Sequence, residues 1–108
     1  MKIQTINPAT EEKIKKYEIA SKIKLDSILK NSQKAFETWK KLSVKERAIK
    51  IRKLGESLLK NKKNYAETMT REMGKPIKES FAEIEKCSWL CAYYSANAEK
   101  FLEEEKIK

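Results

Sequence analysis

The chain has 108 residues, of which 40% are hydrophobic and 38% are charged, and its formal net charge is +9. This length supports one domain with a modest core, and the charge content predicts a densely ionic surface. No apolar run is long enough to cross a bilayer, so we expect no membrane partner. Two cysteines and no export-signal pattern after Met1 predict a reducing, cytoplasmic location rather than a disulfide scaffold.

The positive charge raises the question of nucleic-acid binding, because Lys and Arg displace counterions from phosphates. Only three residues are arginines, Arg47, Arg52 and Arg71, and the lysines are interleaved with glutamates throughout. Bidentate recognition of phosphates or bases favours Arg, and base stacking needs clustered exposed aromatics. We therefore expect a solvated Lys/Glu surface and no nucleic-acid partner, with a basic nucleic-acid-binding domain as the weaker alternative.

Residues 1–21 form the one part of the sequence that has a strand pattern. Residues 2–6 alternate polar and apolar side chains, residues 7–10 form a turn cluster, and residues 13–19 resume a weaker alternation. This pattern predicts a β-hairpin. Two strands alone are marginal in water, so the hairpin must rest on another part of the molecule.

Residues 22–108 have helical periodicity. The first helix is predicted from about Asp26 to Leu42, with Asp26 or Ser27 as the N-cap. The second begins with a capping box, in which Ser43 and Glu46 satisfy each other's free backbone amides. Its predicted buried residues are Val44, Ala48, Ile51, Leu54, Leu58 and Leu59.

A short third helix ends at Gly74, which is placed as a C-terminal cap with positive φ, and Pro76 opens the fourth helix. The fourth helix, of roughly 27 residues, would be about 40 Å long at 1.5 Å per residue. Its predicted apolar face comprises Ile77, Phe81, Ile84, Cys87, Cys91, Tyr94, Ala98 and Leu102. The fold class is therefore mostly α, with an N-terminal β-hairpin followed by about four helices, the last one long.

The residues alone supply no complete active site. The chain has no histidine, which removes the commonest proton-transfer group and metal ligand. Cys87 and Cys91 are four residues apart on one helix, where two thiols cannot close a tetrahedral zinc site, and we expect both to be small core residues. No glycine-rich loop follows a strand. We therefore predict no catalytic, cofactor-binding or metal-ligating residue in this chain.

Two motifs carry a resemblance to a known family. Asn7-Pro8-Ala9-Thr10 resembles the opening of aldehyde dehydrogenases, and Thr70-Arg71-Glu72-Met73-Gly74-Lys75-Pro76 resembles a corner of their succinate-semialdehyde branch. Trp39, Arg47 and Leu54 between these motifs, and residues 93–102 after them, have similar spacings. The resemblance covers about residues 3–102. The family's turn usually continues with Gly-Glu, whereas this chain has Glu11-Glu12.

The resemblance implies an enzyme that uses NAD or NADP to oxidise an aldehyde, here succinate semialdehyde, to the acid. In such enzymes a cysteine attacks the aldehyde and a glutamate activates water. Cys87 and Cys91 do not match the nucleophile motif, and the catalytic and cofactor-binding segments lie C-terminal to the resembling part. In the full family this part belongs to an α/β nucleotide-binding domain.

The resemblance therefore implies a single partial domain over residues 1–108, a fragment with no catalysis or cofactor binding of its own. By position, Lys86, Trp89 and Tyr93 would line the substrate entrance of the full enzyme. The expected partners are the missing C-terminal portion of the enzyme or a second copy of the chain. The alternative is a free-standing helical interaction module that self-associates through spare apolar surface.

Overall fold

The computed structural model describes residues 2–107 and contains a two-stranded hairpin followed by four helices. The elements are β1 (Lys2–Ile6), β2 (Lys13–Glu18), α1 (Lys22–Trp39), α2 (Val44–Lys60), α3 (Lys62–Met73) and α4 (Ile77–Phe101). The helices α2 and α3 both pack on α4. The predicted fold class is confirmed, and α4 has 25 residues.

The hairpin forms where the alternating pattern predicts it. β1 and β2 pair antiparallel, with Ile3 opposite Tyr17, and the register shifts between Thr5 and Ile6. The side chain of Asn7 stabilises the connecting turn by accepting a hydrogen bond of 2.9 Å from the backbone amide of Ala9.

Glu11 closes this turn in a conformation that costs energy for a side chain. Its φ is +62°, in the left-handed region, and it is the one non-glycine residue with positive φ in the described part of the chain. The resemblance implies that glycine usually stands here, and glycine adopts this conformation without a Cβ clash. Glu11 therefore carries a side chain in a backbone conformation that favours glycine.

The first helix begins earlier than the sequence predicts. Ser21 is the N-cap, and its hydroxyl accepts a 3.3 Å hydrogen bond from the amide of Lys24, so the predicted caps Asp26 and Ser27 lie inside the helix. No Gly or Pro interrupts residues 22–25, so the helix extends back to the first serine that can cap it. No residue of α1, all of which the structure describes, is buried.

The capping box of α2 is confirmed. The Ser43 amide donates to Glu46 Oε2 at 2.7 Å, and the Glu46 amide donates to Ser43 Oγ at 3.2 Å. The predicted buried face is wrong at Leu54 and Leu59, which are 51% and 46% exposed, whereas Gly55 is buried. The reason is that α2 packs on α4 through Gly55, the smallest residue of α2.

The contact between α2 and α4 is a close crossing of two backbones. Ser88 Oγ on α4 donates a buried 2.9 Å hydrogen bond to the carbonyl oxygen of Gly55. A Cβ atom on Gly55 would lie 2.8 Å from Cβ of Cys91 and 3.1 Å from the Ser88 carbonyl oxygen. Glycine is therefore required at this crossing, because any side chain would push the helices apart.

The buried face of α4 consists of Ser80, Ile84 and Ser88, each one turn apart. The sequence predicts Ile84 here. It is wrong at four other positions that are exposed, which are Ile77, Cys87, Tyr94 and Leu102. Small hydroxyl residues occupy the buried positions because they allow close helix packing and satisfy polar atoms across the interface. Ser80 Oγ lies 2.8 Å from Thr70 Oγ1 on α3, and one of these hydroxyls donates to the other.

Candidate functional site

The two motifs that carry the family resemblance meet in space at the corner between α3 and α4. Gly74 ends α3 with φ +71°, and a Cβ atom on it would lie 2.8 Å from Cγ of Pro8 in the hairpin turn. The ring of Pro8 thus lies directly against the glycine. This contact gives the marginal hairpin its support, and it fixes the hairpin next to the start of α4.

One ion pair lies at this corner, and a second lies at the opposite end of α3. Lys75 Nζ lies 2.9 Å from Glu83 Oε1, and Lys62 Nζ lies 3.0 Å from Glu85 Oε1, so both join the α3 side to α4. The hydrogen bond from Lys75, and then its charge, lowers the pKa of Glu83 below the ordinary 4.5. The Glu83 carboxylate is therefore ionised at neutral pH and serves as a structural partner rather than a proton donor.

The side chains predicted to line a substrate entrance, Lys86, Trp89 and Tyr93, all lie exposed on α4. The structure brings two of them into contact. The rings of Trp89 and Tyr93 stack with centroids 5.6 Å apart and an interplanar angle of 23°. Lys86 lies one turn before Trp89, in the same direction on the helix. The role of these residues at an entrance is a prediction that the fold of this chain alone does not test.

Two further aromatics extend this surface and were missed as site residues. Tyr93 lies 5.3 Å from Tyr94 and 6.1 Å from Phe101 between ring centroids. The four rings, Trp89, Tyr93, Tyr94 and Phe101, are each between 42% and 62% exposed, and we refer to them as the aromatic surface of α4. The sequence signal that could have found them is the spacing of Tyr94 and Phe101, which are seven residues apart on one helix.

The aromatic surface of α4, with Lys86 beside it, can recognise and bind a molecule. It offers aromatic faces, phenol hydroxyls, an indole N–H and a lysine cation, which can position an apolar or anionic molecule. Within residues 2–107 no group of three or more Cys, Asp or Glu side chains is arranged to hold a metal ion. The two thiols, Cys87 and Cys91, are unpaired.

Two open grooves flank α4 where it crosses α2. One, of about 240 Å³, is lined by charged and small side chains that include Lys45, Arg52 and Glu99. The other, of about 210 Å³, is lined mostly by apolar side chains, among them Trp39, Ile51 and Leu102. Across the described part of the chain, no helix has the length and hydropathy needed to cross a membrane.

Comparison with known proteins decides the family. The model of the aldehyde dehydrogenase family matches residues 1–108. The chain belongs to the aldehyde dehydrogenase family. A probable NADP(+) succinate-semialdehyde dehydrogenase of Synechocystis is 33% identical over 107 residues, which are 99% of this chain and 24% of that protein. The NAD(P)+ succinate semialdehyde dehydrogenase Sad of Escherichia coli is 33% identical over 94% of this chain and 22% of its own length.

A solved structure agrees with these relatives. The succinic semialdehyde dehydrogenase of Streptococcus pyogenes, crystallised with NADP+ as the cofactor, matches with a TM-score of 0.90 and 27% identity. The match covers 97% of this aldehyde dehydrogenase chain and 23% of the other. The chain thus spans about a quarter of the length of the relatives it matches.

Proposed function

We propose that this chain is the N-terminal structural segment of an NAD(P)-dependent succinate-semialdehyde dehydrogenase. Its role is to build part of the frame around the active site, and it performs no hydride transfer by itself. The main observation that supports this proposal is the corner at which Pro8 lies against Gly74, because it joins the two family motifs in one contact. The names of the relatives support succinate semialdehyde as the substrate of the assembled enzyme.

We propose NADP+ as the preferred cofactor of the assembled enzyme and NAD+ as the second. The support comes from the cofactors in the names of the relatives and from the NADP+ complex of the S. pyogenes enzyme. We place the protein in the cytoplasm, where two unpaired thiols, Cys87 and Cys91, remain reduced.

In the assembled enzyme the aromatic surface of α4 forms one wall of the substrate entrance, with Lys86, Trp89 and Tyr93 as its lining. Two features support this role. The opposite side of α4 is held by the buried hydrogen bond between Ser88 and Gly55. The rings of Trp89 and Tyr93 are stacked although both are exposed, so they form a preorganised surface.

The test is an assay with succinate semialdehyde and NADP+ or NAD+, followed by absorbance of the reduced cofactor. The 108-residue chain alone should produce none, and turnover by the pure chain would refute the proposed role. Addition of a second chain, comprising the part of the Synechocystis enzyme outside the matched segment, should restore activity that neither chain has alone. The Trp89→Ala variant should then raise KM more than it lowers kcat, since it changes the entrance and not the chemistry.

A second candidate function is a free-standing interaction module that self-associates. The observation that favours it is α1, whose residues are all exposed although several are large and apolar. Light scattering discriminates between the two functions. A chain that stays monomeric as its concentration is raised would exclude the self-associating module.

A further inference from the structure

Arg47 on α2 carries a hydrogen-bond donor that no group in the described part of the chain satisfies. Its Nε atom is buried and has no acceptor within residues 2–107. The same is true of Gln4 Nε2, but Arg47 also carries a full positive charge. None of the ion pairs among the described residues includes Arg47. Such a donor is costly to bury alone, and buried charged groups in proteins are normally paired.

The guanidinium of Arg47 belongs to the apolar groove of about 210 Å³ between α2 and α4. Trp39, Ile51 and Leu102 are among the other side chains that line this groove, and Arg47 is the one charged residue of the lining. An occupant of the groove therefore needs an apolar group for its walls and an acceptor for a single guanidinium.

The carboxylates of this chain that lie nearest in the sequence are engaged elsewhere or remote from Arg47. Glu46 accepts a hydrogen bond in the capping box of α2, and Glu37 pairs with Lys40. The three glutamates at 103–105 follow the end of α4, but none of them forms an ion pair with Arg47 in this structure. The described residues therefore leave the charge of Arg47 without a counter-charge.

We propose that Arg47 binds a carboxylate carried by the remaining part of a dehydrogenase chain, and that an apolar side chain beside this carboxylate fills the groove. This inference rests on the proposed function. The chain spans about a quarter of the length of its relatives, so most of an assembled enzyme is available to supply the occupant. A guanidinium and a carboxylate form two parallel hydrogen bonds, which would satisfy Nε and fix the register of the two parts.

The charge of this chain favours an acidic occupant. Lys40 and Lys41 directly follow Trp39 in the sequence, and they add positive charge to that of Arg47. The whole chain has a net charge of +9. An acidic segment is attracted to such a surface, whereas a second copy of the chain, equally basic, is repelled from it.

The test compares one substitution in two molecules. The first is the 108-residue chain, and the second is a chimaera in which this chain replaces the matched segment of the S. pyogenes succinic semialdehyde dehydrogenase. Arg47→Met keeps an apolar side chain and removes the charge and the N–H donors. Lys53→Gln, which removes one charge from an exposed position on α2, is the matched control. The measurement is the midpoint of thermal unfolding, Tm.

The two molecules should respond in opposite directions. In the chain alone Arg47→Met should leave Tm unchanged or raise it, because it removes a donor that has no partner. In the chimaera it should lower Tm by about 3 °C or more, because it leaves a buried carboxylate without its counter-charge. Arg47→Lys, which keeps the charge but loses the planar fork, should lower Tm by less. Lys53→Gln should change Tm equally in both molecules.

Three results would overturn this inference and leave the proposed function intact. One is a fall in Tm of equal size in both molecules, because the partner of Arg47 would then lie within this chain. Another is a folded chimaera whose Tm does not depend on Arg47. The third is a rise in Tm when succinate is added to the native chain but not to Arg47→Met, because the occupant would then be a free carboxylate molecule. A native chimaera that does not fold would refute the proposed function, and this inference with it.

Discussion

Replacing Gly55 by alanine adds one carbon atom, the Cβ, at the close crossing of α2 and α4 and so tests how closely the two helices pack. The new Cβ would lie 2.8 Å from Cβ of Cys91, about 1 Å inside an ordinary carbon–carbon contact. Both atoms are fixed to a backbone, so no side-chain rotation relieves the clash. The helices must separate, and the 2.9 Å hydrogen bond from Ser88 Oγ to the Gly55 carbonyl lengthens with them.

The magnitude follows from three opposing effects. Overpacking costs about 1–3 kcal/mol, and the loss of a buried hydrogen bond adds about 1 kcal/mol. Alanine regains about 1 kcal/mol because it favours the helix interior over glycine. The net expectation is that Gly55→Ala lowers the free energy of unfolding by about 1–3 kcal/mol.

The assay is urea denaturation followed by circular dichroism at a concentration where the protein is monomeric. Ser57→Ala, at an exposed position two residues away on α2, is the matched control and should be neutral or slightly stabilising. If Gly55→Ala instead raises the stability by the ~1 kcal/mol of helix propensity alone, the close crossing is refuted.

Two further predictions concern the hairpin and the N-terminus of α2. Glu11→Gly should raise the free energy of unfolding by about 0.5–1 kcal/mol, since glycine adopts φ +62° without strain; Glu12→Gly, whose native φ is not positive, should lower it, and thermal melts of both variants check this. The Ser43 amide, and then its hydroxyl, lowers the pKa of Glu46 below the ordinary 4.5. A lowered folded pKa gives stability that is complete above the ordinary value and is lost as pH falls through the folded pKa. Acidification from about pH 5 to about pH 3 should therefore fray the start of α2, and Glu46→Gln should remove this dependence in amide exchange; an unchanged pH profile in Glu46→Gln would contradict the role of the capping box.

Local signals in the sequence predicted most of the fold. Three features depend on residues that are neighbours in the sequence, so the sequence alone predicts them. They are the capping box at Ser43, the left-handed conformation of Gly74 and the alternation in β1. The predicted start of α1 was wrong because two serines and an aspartate near it can each cap a helix, and the sequence does not rank Ser21 above Asp26.

The buried face of α4 depends on contacts that the sequence does not record. Hydrophobic periodicity favoured Cys87 over Ser80 and Ser88, yet the two serines are buried because they bond to Thr70 and to Gly55, 10 and 33 residues away. Hydrophobicity also cannot show that the apolar side chains of α1 are exposed in this structure, because an exposed apolar face and a core face have the same pattern.

The candidate site was predicted in part. The position of Trp89 and Tyr93 on one helix follows from spacing, but their stacking and its extension to Tyr94 and Phe101 depend on rotamers that only the structure gives.

The most direct test of the central claim is a chimaera of the S. pyogenes succinic semialdehyde dehydrogenase in which this chain replaces the matched segment. The measurement is NADP+ reduction with succinate semialdehyde by the folded, purified chimaera. If this chain is the structural segment of such an enzyme, the chimaera should turn over. A chimaera that is folded and binds NADP+ but does not oxidise the aldehyde would contradict the claim.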